Sequence, residues 1–315
     1  MANLGLVFFP RGLSGPRHVL DLASELEASG FDHCFMVEGG NESMTVLAAL
    51  ALATRRAQIG SGIASIYLRH PYELGLAASV VESLSGGRLI LGLGTAHQVT
   101  NEQGLGLRMD KPLSRMRDYV ATVRAVLDSG GQRIEARTER YQVTGPTNAW
   151  SPARRVPVIL AALGYGSVRL AAQIADGVIL SLATLDQIRE VRRVLTEEAA
   201  AVGRDAGAIR IYAIVNTVLR PTAEEALPLL RAAVAGYARL PFYQRELRQN
   251  GIPIVDGTIR DEDVPRLGIA GPPAMARERI AAYREAGADV VLLSPGGAEP
   301  DPPAAYRGYR ALADA

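Results

Sequence analysis

The stretch whose reading decides the fold is Val156–Leu180, VPVILAALGYGSVRLAAQIADGVIL. Val156–Leu160 is a short apolar run, Ser167–Ala175 has helical spacing, and Gly177–Leu180 is a second apolar run. Strands without polar alternation are buried on both faces, as in a parallel sheet covered by helices. The unit recurs along the chain. Leu4–Phe9, His33–Val37, Ala57–Ala64, Arg88–Leu93, Ile209–Leu219 and Val290–Leu293 read as further strands. Arg17–Ala28, a segment from Ser43 as N-cap to about Arg55, Tyr72–Leu84, Pro112–Ser129, Leu185–Val202, Ala223–Ala238 and Pro272–Ala286 read as helices, and Ala304–Ala313 as a closing one. Eight strands alternating with helices in 315 residues predict an α/β fold, a (β/α)8 TIM barrel forming a single domain over residues 1–315. An open doubly wound sheet is the alternative. Its G-x-G-x-x-G is missing after the first strand, and His97 stands where a third glycine would follow Gly92-Leu93-Gly94.

Two segments depart from the rhythm. Gln132–Val143 suits a small hairpin, and Tyr237–Ile269 is aromatic, rich in turn residues and mixed in charge. A loop of that length is an insertion placed to cover an active site or to extend the packing.

Composition narrows the chemistry. A net charge of +1 gives no electrostatic reason to expect nucleic acid as a partner. No apolar run reaches transmembrane length, and Met1–Pro10 lacks the basic region of a signal peptide, so a cytoplasmic protein without a membrane partner is expected. The single cysteine, Cys34, excludes an internal disulfide. Of 34 basic residues only Lys111 is a lysine, and it sits in a polar loop, which argues against Schiff-base chemistry. His18, His33, His70 and His97 show no metal-binding spacing, so no metal site is expected.

In such barrels the active site lies where strands end. After the second strand comes Glu38-Gly39-Gly40; after the fourth, Thr95, His97, Thr100 and Asn101. After the fifth, Ala161 to Ser167 runs small residues and glycines into a helix, with Ser167 as the expected N-cap. A helix N-terminus behind glycine is either an ordinary turn or an anion site. Gly92 and Gly94 would leave room above them for a flat ring, and His70, before Pro71, has a structural role. The third strand runs into QIGSGIASIYLRHP (Gln58–Pro71), where glycine inside a strand pattern marks a bulge or a close approach.

Taken in order, SGIASIYLRHP (Ser61–Pro71), SGGRLILGLGTAH (Ser85–His97), PLSRMRDYVATVRAVL (Pro112–Leu127), the Val156–Leu180 stretch and AGPPAMARERIAAYREAGADVVLLSP (Ala270–Pro295) resemble the bacterial-luciferase-like superfamily, on the side of its F420-dependent oxidoreductases. The resemblance implies a deazaflavin (F420) cofactor, or alternatively FMN. It places a non-prolyl cis peptide at Gly62–Ile63 behind the cofactor ring, and Glu38 and His97 as candidate proton donors or acceptors. It puts Thr95, with Thr100 or Asn101, at the ring's polar edge or the ribityl chain, and Ala162, Leu163, Gly164 and Tyr165 around the phosphate. F420-dependent sugar-phosphate dehydrogenases carry a His after the acidic residue that ends strand two; here Gly39 follows Glu38, which argues against a sugar-phosphate substrate. The expected activity is hydride transfer between F420 and a small organic molecule. The alternatives are an FMN-dependent monooxygenase using O2 and a non-catalytic cofactor-binding homologue. A homodimer follows by family analogy.

Overall fold

Leu4–Phe8 (β1) is buried along its whole length and pairs in parallel on both sides, with His33–Met36 (β2) and with Val290–Ser294 (β8). A computed structural model of the chain describes residues 3–314. Around the ring follow β3 (Gln58–Ser61), β4 (Leu89–Gly94), β5 (Val158–Ala161), β6 (Gly177–Ser181) and β7 (Arg210–Leu219), and each pairs in parallel with the next until β7 meets β8. The eight strands form a closed barrel, as the alternation of apolar runs and helices predicts, and not an open sheet.

Two apolar layers hold it together. Val7, Phe35, Val37, Ile90, Ile159, Ile179, Tyr212, Val290 and Leu292 fill the lumen. The outer faces of the strands pack against a ring of helices, among them α1 (Pro16–Ala28), α2 (Ser43–Ala53), α3 (Pro71–Ser85), α4 (Pro112–Leu127), α5 (Tyr165–Ile174) and α6 (Leu185–Ala201), while α7 (Ala223–Ala235) packs in a separate cluster with Val218 of β7. Each fully buried aliphatic side chain contributes about 1.5–3 kcal/mol.

Local signals were misplaced by a residue or more at several helix starts. Glu42, not Ser43, caps α2: its carboxylate accepts from Met44 N at 3.1 Å and Thr45 N at 2.6 Å. Gly164, not Ser167, precedes α5, and no side chain caps that helix. His70 is structural, through its own helix: Nδ1 accepts from Tyr72 N at 3.2 Å at the start of α3. The expected hairpin is present as Arg133–Arg137 against Gln142–Thr147.

The insertion has more structure than a loop. It holds a helix, α8 (Pro241–Gln249), a two-stranded ribbon of Ile254–Val255 and Thr258–Ile259, and a 3-10 turn at Val264–Leu267. Its expected end at Ile269 falls inside a strand, Gly268–Gly271, which pairs in parallel with Asn216–Leu219, the half of β7 that outruns the barrel. This explains why the seventh strand is long: its first half closes the ring and its second half founds the insertion. Leu182, Val218, Leu230, Tyr243, Leu247 and Ile252 belong to a separate apolar cluster beneath it.

Candidate active site

The site is assembled at the C-terminal mouth of the barrel. β3 breaks after Ser61, the Gly62–Ile63 peptide is cis, and the chain resumes as Ala64–Ser65 paired to Leu93 and Gly94 of β4. Ser61 spans the break: its Oγ donates to Gly92 O at 2.8 Å and accepts from Gly92 N at 2.9 Å. The glycines of β4 leave room, as expected, but the protein itself takes that room. A Cβ at Gly92 would lie 2.0 Å from Ser61 O, and one at Gly94 would lie 2.5 Å from the Ile63 side chain. The displaced turn thereby pushes Ile63 over the top of the lumen. There Ile63, Phe9, Ala161 and Ile214 form a half-exposed apolar floor above the packed core.

Glu38 stands beside this turn. Its Oε2 accepts from Ser65 N at 2.7 Å, and its Oε1 from Ser43 Oγ at 3.0 Å and from the Arg69 guanidinium, which also pairs with Glu42. Tyr119 O–H donates to Arg69 O at 3.2 Å and fixes that arm from the side of α4. Both carboxylate oxygens of Glu38 are therefore engaged in clamping the turn. Arg69 was not legible as a site residue: an arginine in a loop carries no signal until its partner is known.

The fourth loop divides its candidates. Thr95 is half-buried at the strand end, and Asn101 Nδ2 donates to its carbonyl at 2.7 Å. Asn101 is itself buried, with its own carbonyl accepting from Leu107 N at 2.8 Å, so it braces the loop from within. Thr100 is exposed on the π-helical turn Val99–Gly104. His97 keeps an exposed edge, but its ring lies 5.8 Å from that of Tyr243, and partial burial lowers its basicity. Tyr243 comes from α8, and its ring lies 4.9 Å from that of Tyr237, tilted against it.

The fifth loop faces α8 as well. Ala162 is buried and its N–H donates to Ile179 O at 3.2 Å, while Leu163 packs on the insertion cluster. Gly164 and Tyr165 open α5, whose first turn has no side-chain cap. Tyr165 O–H donates to Asn250 Oδ1 at 3.3 Å, and Asn250 Nδ2 donates to Glu246 O at 2.7 Å. Glu246 is buried against Gly164: a Cβ there would meet Glu246 Oε1 at 3.0 Å. Sequence reasoning missed Glu246, which reads as an ordinary surface glutamate of an amphipathic helix.

An apolar floor beside an uncapped helix N-terminus fits a planar ring carrying a phosphate. The model of the luciferase-like monooxygenases matches residues 6–290. The chain belongs to that family. Among the relatives of this luciferase-like chain, a putative coenzyme F420-dependent oxidoreductase of Mycobacterium tuberculosis is 33% identical over 187 residues, 56% of this chain and 54% of that protein. A 5,10-methylenetetrahydromethanopterin reductase of Archaeoglobus fulgidus is 27% identical over 211 residues, 66% of this chain and 62% of that protein. The aligned part thus spans between 54% and 62% of the length of these two relatives. The fold of an F420-dependent secondary alcohol dehydrogenase, solved with an F420–acetone adduct, superposes with a TM-score of 0.83 at 16% identity and covers 98% of both chains.

Proposed function

We propose that this chain is an F420-dependent oxidoreductase acting on a small organic substrate. One observation carries the reading: the floor of Phe9, Ile63, Ala161 and Ile214 shares the barrel mouth with the uncapped N-terminus of α5. The name of the Mycobacterium tuberculosis relative favours a deazaflavin over other phosphorylated rings. F420, when bound, supplies hydride exchange at its C5.

The chain's own residues do the rest. Gly62 and Ile63 back the ring and keep water from its lower face, with Thr95 and Thr100 near its polar edge. Glu38 acts as a positioning residue that holds the turn through Ser65 and Arg69. Asn101 fixes the loop that presents His97. The His97 imidazole, made less basic by partial burial, accepts or donates the proton that accompanies hydride transfer. Ala162 ties the turn to Ile179, and Leu163, Gly164 and Tyr165 hold the phosphate through backbone N–H groups. Tyr237 and Tyr243 bound the substrate space above. We also take the protein to be a cytoplasmic homodimer; light scattering reads the subunit number.

The family description favours a second reading, an FMN-dependent monooxygenase. Fluorescence titration with F420 and with FMN, followed by oxygen uptake with each reduced cofactor, separates the two. Tight F420 binding without oxygen consumption supports the first. FMN binding with substrate-dependent oxygen consumption replaces it with the second, and binding of neither leaves a non-catalytic barrel. In the first case His97→Asn lowers kcat by about a hundredfold with KM little changed and removes one limb of the pH profile, the acidic limb where His97 accepts the proton and the basic limb where it donates it.

A further inference from the structure

The turn assigned to the cofactor phosphate is overlaid by a carboxylate from the insertion. Glu246 is 4% exposed, although glutamate is rarely buried without a partner. Its Oε1 meets only the exposed Arg245 Nε, at 3.3 Å, and among the described residues its Oε2 has no hydrogen-bond partner. Both oxygens point at Gly164, at 3.0 and 3.4 Å from the place of a Cβ, just before the first turn of a ten-residue helix that no side chain caps. Its helix is held there by Tyr165 on Asn250 and by Tyr243 packed near His97. An anion site attractive through its helix dipole thus carries a negative group at its rim.

We propose that Glu246 is a cofactor-selecting residue, which sets the charge of the phosphate this turn accepts. The proposal rests on the reading of Ala162–Tyr165 as the phosphate loop. A terminal phosphate monoester, as in FMN, carries between one and two negative charges near neutral pH, because its second ionisation lies near pH 6. A phosphodiester, as in F420, carries one charge at the phosphate, and its chain continues outward to solvent. The helix N-terminus attracts both, and the Glu246 carboxylate opposes both, but its opposition grows with each added charge. Glu246 therefore penalises the monoester more than the diester and turns an otherwise shared phosphate site towards F420.

The test is equilibrium binding, read by fluorescence, of four ligands to the wild-type protein and to Glu246→Gln. The ligands are F420, FMN, and their phosphate-free counterparts, the deazaflavin riboside and riboflavin. The isosteric amide keeps the packing, and an unchanged thermal midpoint confirms the fold. The expected result is a gain in FMN affinity of about tenfold or more, a smaller gain for F420, and no change for the phosphate-free pair. Equal gains for FMN and F420, or no gain for either, overturns the proposal while leaving the phosphate loop in place. Failure of phosphate to improve binding in either protein overturns the phosphate loop itself, and the proposal with it.

Discussion

Gly92 shows how much of this site depends on single positions. Its missing Cβ admits the Ser61 carbonyl, which would otherwise stand 2.0 Å away, and both partners are backbone, so no rotamer change relieves the clash. Gly92→Ala should destabilise the protein by about 3 kcal/mol. Gly104→Ala, where the added methyl meets open space, should change it by less than about 0.5 kcal/mol. Urea denaturation of the two variants checks the contrast, and equal midpoints would mean that the turn yields. At this scale the sequence showed glycines at the end of β3 and in β4, and it placed Glu38 and His97 just after the second and fourth strands. It did not show Arg69 or Glu246, because their meaning comes from partners 31 residues and 82 residues distant, at Glu38 and Gly164. A lone charged side chain in a loop or on a helix looks the same with or without such a partner.

Among the elements, α8 is the part of the insertion that reaches the barrel mouth. It lies across the fourth and fifth loops and belongs to an apolar cluster separate from the main core. Its apolar cluster is small and its polar ties are local, so it should open without unfolding the barrel. Asn250→Ala removes the partner of Tyr165 and one bond to the end of the helix, worth about 1 kcal/mol. Hydrogen exchange across residues 241–252 should quicken about fivefold, with β5 and β6 unchanged. Unchanged exchange in the helix would show that apolar packing alone holds it. The strands were legible as elements because buried parallel strands are apolar throughout. The helix starts were less so, since Glu42 and Gly164 do the work that the nearby serines suggested. The insertion was legible only as a break in rhythm. Its strand, Gly268–Gly271, exists because β7 outruns the ring and offers an edge to pair with.

For the molecule as a whole, the buried end of the barrel lumen sets a limit on acid stability. His33 lies in the lumen beside Phe35 and Tyr212, and neither ring nitrogen has a partner among the described residues. Burial, reinforced by Arg210, lowers its pKa from the usual 6.5 to about 4. The folded state therefore binds this proton less readily than the unfolded chain does. The contribution to stability is intact above pH 6.5 and declines as the pH falls from there towards 4, by about 3 kcal/mol in all. His33→Phe should flatten the fall in denaturation free energy between these pH values, and an unaltered slope would assign the acid sensitivity to other groups. By itself the sequence determined the barrel, its strand order and the loops that meet at its mouth, since apolar periodicity and chain length are local properties that only one closed arrangement satisfies. Tertiary structure alone decided that Gly92 of β4 receives a neighbouring backbone, that Glu38 is a clamp, and that a carboxylate of α8 rests on the turn before α5. Those are contacts between residues far apart in the chain, and no local pattern encodes which distant group will arrive.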